Sequence, residues 1–258
     1  MARGEAGAAP GTGAGTPPGP ALGAPPETVP GAPPGRGTLT ERVTTRRKPA
    51  ARSAGRDAAI IRRGLKPIVW AGALTPLAIL AIRALRDDLT ANPIELITNW
   101  TGYTTLVLLM VTLTITPLRR VTRWNPLVRL RRPIGLFAFF YASLHFLTYV
   151  VLDQFFWWEG IVDDVMERPY ITVGFTAFLL LIPLAITSTR GWIRRLGKRW
   201  QKIHRLVYAT AALGVLHFFW KVKADTRQPL LFAAILTLLL LARLVPALLA
   251  AARRPPAS

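Results

Sequence analysis

Three histidines, His145, His204 and His217, stand in or at the end of long apolar runs that are otherwise nearly free of ionisable groups. An imidazole placed in hydrocarbon needs a partner, and a metal ion or a proton path supplies one where a lipid tail does not. The chain has no cysteine, which excludes disulfides, thiolate metal ligands and iron–sulfur centres held by cysteine. Imidazole ligation of a haem iron is the chemistry these residue types favour. The competing class is a transporter or a structural membrane protein in which the histidines are polar glue or a proton path.

The elements that must position these residues are membrane helices. A chain of 258 residues that is 51% hydrophobic and 18% charged, with Leu-rich runs approaching twenty residues, reads as all-α and as a polytopic helix bundle in a bilayer. The formal charge of +20 does not imply nucleic acid, because the basic residues cluster at the flanks of apolar segments and in the leading tail, where lipid headgroups and topology account for them. Six spans are expected: 68–86, interrupted near its end by Arg83; 100–118; 133–152; 170–187; 203–222; and 229–249, with Arg243 and Pro246 marking a frayed or interfacial end. Residues 1–58, largely Gly, Ala, Pro and Thr followed by Arg46, Arg47, Lys48, Arg52 and Arg56, lack apolar periodicity and read as a disordered tail with no signal peptide evident. The domain division expected is therefore 1–58 tail, 59–250 transmembrane domain and 251–258 short C-terminal tail.

Charge fixes the orientation. Arg119, Arg120, Arg123, Arg129, Arg131 and Arg132 fill one connection, and Arg190, Arg194, Arg195, Lys198, Arg199 and Lys202 another, both without an acidic residue. The alternate connections hold Asp87, Asp88 and Glu95, and Asp153, Glu159, Asp163, Asp164 and Glu167. The positive-inside rule puts the arginine loops and both termini in the cytoplasm. Trp100, Trp157, Trp158, Trp192, Trp200 and Trp220 then fall near span ends as interfacial anchors.

Depth follows from helix rise. His145 lies about 18 Å and His217 about 20 Å from the cytoplasmic edge, the matched level a bis-imidazole b-type haem requires. Phe139, Phe140, Leu144, Leu213, Gly214 and Phe218 are available to pack its edges, and Gly135 and Gly214 to admit close approach. His204 falls about 19.5 Å below His217 and about 140° around an ideal helix, so it cannot bind the same iron. Three outcomes stay open for it: a second haem with an unusual or absent partner, exchange with His145, or a propionate contact. Arg131 and Arg132 enter their span at the level of a propionate or of a lower haem.

The stretches TLTITPL (112–118), RRPIGLFAFFYASLHFLTY (131–149), ERPYITVG (167–174), LAITSTR (184–190), LGKRWQKIHRLV (196–207) and HFFWKVK (217–223) resemble the MsrQ family, formerly YedZ, of the ferric-reductase-like transmembrane superfamily. The likeness runs from about residue 65 to 249. It implies a haem-binding membrane subunit, not itself the catalytic one, that passes electrons through one haem b, or two, to MsrP, a periplasmic molybdopterin enzyme reducing methionine sulfoxide in proteins. It also implies that His145, His204 and His217 match the family's important histidines and that Arg131 and Arg132 match its arginine pair. FMN is attributed to some members, with a cytoplasmic NAD(P)H flavin reductase as donor. The chain departs from the pattern at Asn99–Trp100, where relatives can carry His–Phe before the Thr–Gly pair. It shows no glycine-rich nucleotide fingerprint in its ordered part.

Overall fold

The computed structural model describes residues 55–252 and the isolated Gly15. The tail expected at 1–58 therefore lies outside the described residues except at Gly15 and 55–58, and those last four are already helical. The helices are α1 (Gly55–Leu85, with a π-helical stretch Ile60–Leu65), α2 (Pro93–Thr122), α3 (Arg131–Leu147, continued by a π-helical turn Thr148–Asp153), α4 (Trp158–Glu167), α5 (Pro169–Ile186), α6 (Arg190–Leu196), α7 (Lys198–His204), α8 (Leu206–Lys221) and α9 (Arg227–Ala252). A 3₁₀ turn, Asn125–Leu130, joins α2 to α3. No strand occurs among the described residues.

Five of these segments are long and apolar enough to cross a bilayer: Gly55–Leu85, Pro93–Thr122, Asn125–Asp153, Pro169–Ile186 and Arg227–Val245. The protein is thus a multi-pass helical membrane protein. The sixth expected span differs, because the helix breaks at Arg205 and leaves α8 with 16 residues. At the rise of an α-helix that is about 24 Å, short of a hydrocarbon core about 30 Å thick. The connection 153–168, expected as an acidic loop, instead winds into α4 after a reversal at Phe155 and Phe156, both at positive φ. Its Asp164 is buried where Tyr149 and Gln154 donate to Oδ2 at 2.9 and 2.7 Å, and Arg168 pairs with Oδ1 at 3.0 Å.

Two helix pairs make the frame of the bundle: α2 packs chiefly on α3, and α5 on α8, while α9 lies against α8 and α2. Between them Leu106, Leu109, Leu113, Ala138, Leu181, Ala211, Val215 and Phe232 form the principal core. Helix α1 is fastened in part at its proline. Pro76 cannot donate to the helix ladder and bends it, and Tyr141 of α3, 0% exposed, enters the opening. Its hydroxyl donates to Ala73 O at 2.7 Å and accepts from Leu77 N at 3.1 Å, taking both ends of the hydrogen bond that the kink opens. Trp100 Nε1 adds a bond to Pro76 O at 3.0 Å.

Arg243, expected at a frayed end, is instead buried within α9. A frayed arginine would reach for water. Here the side chain turns inward to Leu113 O and Tyr208 Oη, because the carbonyl of Leu113 has lost its helical donor to Pro117.

Candidate functional site

His145 on α3 and His217 on α8 face each other, with ring centroids 6.0 Å apart and ring planes crossed at 78°. Each ring is held by the same device. Nδ1 of His145 bonds to Thr98 O at 2.9 Å, and Nδ1 of His217 to Tyr170 O at 2.7 Å. A carbonyl can only accept, so Nδ1 carries the proton in both rings and Nε2 keeps a free lone pair. The protein thereby fixes tautomer and ring orientation together.

Two glycines make room for the rings. A Cβ on Gly174 would lie 2.5 Å from His217 Nδ1 and 2.8 Å from Cε1; one on Gly102 would lie 3.0 Å from both atoms of His145. Each glycine stands one helical turn beyond the residue whose carbonyl takes the Nδ1 proton, Thr98 to Gly102 and Tyr170 to Gly174. The glycines expected to admit close approach, Gly135 and Gly214, do not seat the rings: the nearest neighbours of an added Cβ there are Thr112 Cγ2 at 3.9 Å and Leu106 Cδ1 at 3.5 Å. A usable signal was present as an internal repeat. Gly102-Tyr103-Thr104 and Leu108-Leu109 recur as Gly174-Phe175-Thr176 and Leu180-Leu181, and Leu144-His145-Phe146 recurs as Leu216-His217-Phe218, all at an offset of 72 residues.

The aromatic residues nearby pack chiefly on one another. Phe146 stacks on Phe178 at 4.9 Å and meets Phe175 at 5.9 Å, while Phe139 stacks on Phe178 at 6.1 Å. Phe218 meets Phe232 edge-on, whereas Phe140 is largely exposed and turns to Tyr141. Asn99, at the position of the departure, accepts from Lys221 Nζ, one turn beyond His217. Lys221 also lines a basic cavity with Arg168, Tyr170, Trp220 and Lys223.

The third histidine is elsewhere. His204 closes α7, its ring stacked on Trp200 at 4.0 Å, and its Nδ1 is buried without a hydrogen-bond partner. The tighter turn at Arg205, with i→i−3 bonds to Lys202 O and from Tyr208 N, perturbs the ideal-helix relation between His204 and His217. Arg131 is half-buried and lies within electrostatic range of His204, whereas Arg132 is exposed. The structure thus brings His145 and His217 together and sets His204 apart from them, stacked on Trp200 and within electrostatic range of Arg131.

A metal ion bonds an imidazole nitrogen at about 2 Å, and the ring centroid lies about 1 Å further, so two rings sharing one ion stand about 6 Å apart. The observed pair has that separation. Among the described residues no three His, Cys, Asp or Glu side chains converge, so an ion held here must bring its remaining ligands with it. A porphyrin iron would do so, and His145 and His217, each with Nε2 free of a hydrogen bond, are the residues that would hold it.

A pair of imidazoles presented by a helical membrane bundle defines the class, and residues 98–215 match the family described as ferric reductase like transmembrane component. A protein of Herminiimonas arsenicoxydans named protein-methionine-sulfoxide reductase heme-binding subunit MsrQ is 56% identical over 182 residues, 69% of this chain and 84% of that protein. Proteins of the same name from Rhodospirillum rubrum and Xanthomonas campestris pv. campestris are 54% and 50% identical, over 71% and 68% of this chain and 84% and 83% of their own lengths. The chain belongs to the MsrQ family.

Proposed function

We propose that the protein conducts electrons across the bacterial cytoplasmic membrane through a b-type haem held between His145 and His217, from a cytoplasmic flavin or NAD(P)H reductase to a periplasmic MsrP-like molybdopterin enzyme that reduces methionine sulfoxide in proteins. One observation carries the reading: two imidazoles on neighbouring helices, each with Nδ1 tied to a carbonyl, stand 6.0 Å apart with both Nε2 atoms unclaimed. The relatives' shared name, heme-binding subunit, supports it.

Bound haem would supply one-electron iron chemistry. The chain's residues do the rest. His145 and His217 would hold the iron through Nε2, and the carbonyls of Thr98 and Tyr170 keep the Nδ1 protons in place. Gly102 and Gly174 leave the rings space, while Phe146, Phe175 and Phe178 pack α3 against α5. No side chain has to gain or lose a proton for an electron to pass.

The proposed orientation sets the arginine connections and both termini in the cytoplasm, with α4 and the acidic residues outside. Helix α8 then serves as a sixth, short crossing. Arg131 and Arg132 stand at the entry side, where positive charge attracts the phosphate of FMN or an acidic donor. His204, stacked on Trp200 beside Arg131, belongs to that entry end and not to the His145/His217 pair.

Reduced-minus-oxidised visible spectra of the purified protein test the reading. A b-type α band should be present and should disappear in His145→Ala and His217→Ala. A colourless, correctly folded preparation from haem-replete cells would contradict it and favour the transporter class.

A further inference from the structure

Arg243 is 9% exposed in the interior of a membrane helix, and no carboxylate pairs with it among the described residues. Its guanidinium donates to Leu113 O and to Tyr208 Oη, and its Cζ stands 5.1 Å over the Tyr208 ring. Its Nε is buried with no partner. Leu113 O and Tyr208 Oη are neutral, so these contacts satisfy hydrogen bonds without neutralising the charge.

A second cation makes the arrangement more costly. Arg131, at the start of α3, is half-buried and within electrostatic range of both Arg243 and Tyr208. His204 is within electrostatic range of Arg131. Arg243 thus holds Tyr208 with Arg131 within electrostatic range of both, Nε of Arg243 is unsatisfied, and no carboxylate pairs with either guanidinium among the described residues. Cations inside a membrane protein pair with something, and like charges repel more strongly there than in water.

We infer that Arg243 and Arg131, assisted by Tyr208, form a receptor for an oxyanion, a carboxylate or phosphate carried by a bound small molecule. Planar guanidinium groups suit such an anion because two parallel N–H donors match two of its oxygens. For a flavin or porphyrin anion the site rests on the proposed function and deepens its entry end, where Arg131 stands; neither the His145 nor the His217 ring takes part in it. It assigns to Arg243 a role that its place near the end of α9 does not suggest. The anion has three chemical sources: the phosphate monoester of a flavin nucleotide, a porphyrin propionate, or a lipid phosphate.

Three matched probe pairs distinguish them on the full chain in non-ionic detergent or nanodiscs. Flavin fluorescence compares FMN with riboflavin, Soret titration compares haemin with its dimethyl ester, and thermal unfolding compares phosphatidylglycerol with phosphatidylcholine discs. In at least one pair the wild type should favour the anionic member, by about tenfold in affinity for the two titrations, as charge-assisted hydrogen bonds warrant, or by a higher unfolding midpoint for the lipids. Arg243→Gln should abolish that preference and Arg243→Lys should retain part of it. Circular dichroism and a monodisperse elution profile establish that each variant is folded. Should Arg243→Gln not fold, Arg131→Gln and the wild-type ratios carry the test. Absence of any preference in the wild type, or a preference that survives neutralisation of the tested arginine, would overturn the inference and leave Arg243 as a plug for the Leu113 carbonyl.

Discussion

Gly174→Ala is the smallest change that should disable the His145/His217 pair. The added methyl carbon would lie 2.5 Å from Nδ1, 2.8 Å from Cε1 and 3.0 Å from Cγ of His217, where ordinary contact begins at 3.4 Å. The ring must therefore retreat by about 0.9 Å, since the opposing atoms belong to an imidazole and not to the end of a flexible chain. That retreat strains the 2.7 Å bond to Tyr170 O and moves Nε2 by a large fraction of a metal–nitrogen bond of about 2 Å. Overpacking of about 2 kcal/mol and one lost hydrogen bond of about 1 kcal/mol together weaken haem retention by about a hundredfold. Gly102→Ala meets His145 at 3.0 Å, needs a shift of only a few tenths of an ångström, and should cost far less. Haem per protein, measured by pyridine haemochrome after purification and by haemin titration, should fall in the order wild type, Gly102→Ala, Gly174→Ala. Wild-type haem content and affinity in Gly174→Ala would refute the reasoning that this glycine exists to seat the ring.

Further outcomes follow from the same geometry. His204→Ala should keep the spectrum of the haem at His145 and His217, because His204 is stacked on Trp200 and apart from that pair; loss of all haem in a folded His204→Ala variant would contradict the separation. Tyr141→Phe removes the hydroxyl that bridges Ala73 O and Leu77 N, and should destabilise the protein by about 1–3 kcal/mol, read as a lower unfolding midpoint with unchanged haem absorption. An unchanged midpoint would mean that the Pro76 kink closes without the wedge. Asp164→Asn keeps hydrogen-bonding capacity toward Tyr149 but loses the charge that pairs with Arg168, and should expose α4 to limited proteolysis. Protection equal to wild type would show that the ion pair does not hold that segment.

The membrane bundle and its two central histidines were legible in the sequence because each has a strong one-dimensional signal. Apolar length marks a span, and a histidine in hydrocarbon has few bland explanations. The partners of those histidines were not legible. Thr98 and Tyr170 act through backbone carbonyls, which leave no trace in residue type, and each is 47 residues from its ring. Gly102 and Gly174 matter through which helices pair, something that composition does not state but that the 72-residue repeat would have suggested. Arg243 was misread for a related reason: distance from the end of a span is linear in sequence, whereas its burial depends on Pro117 having opened a carbonyl on a helix 130 residues away. The break at Arg205 and the helix in the acidic connection depend on local backbone turns that hydrophobic periodicity does not resolve.

The central claim is that two crossed imidazoles share one iron. Low-temperature electron paramagnetic resonance of the oxidised, purified protein tests it most directly, because ligand planes crossed at 78° leave the iron orbitals nearly degenerate. The account predicts a strongly anisotropic low-spin ferric signal with a large principal g value, replaced by a high-spin signal or lost with the haem in His145→Ala and in His217→Ala. A low-spin signal that survives both substitutions would contradict it.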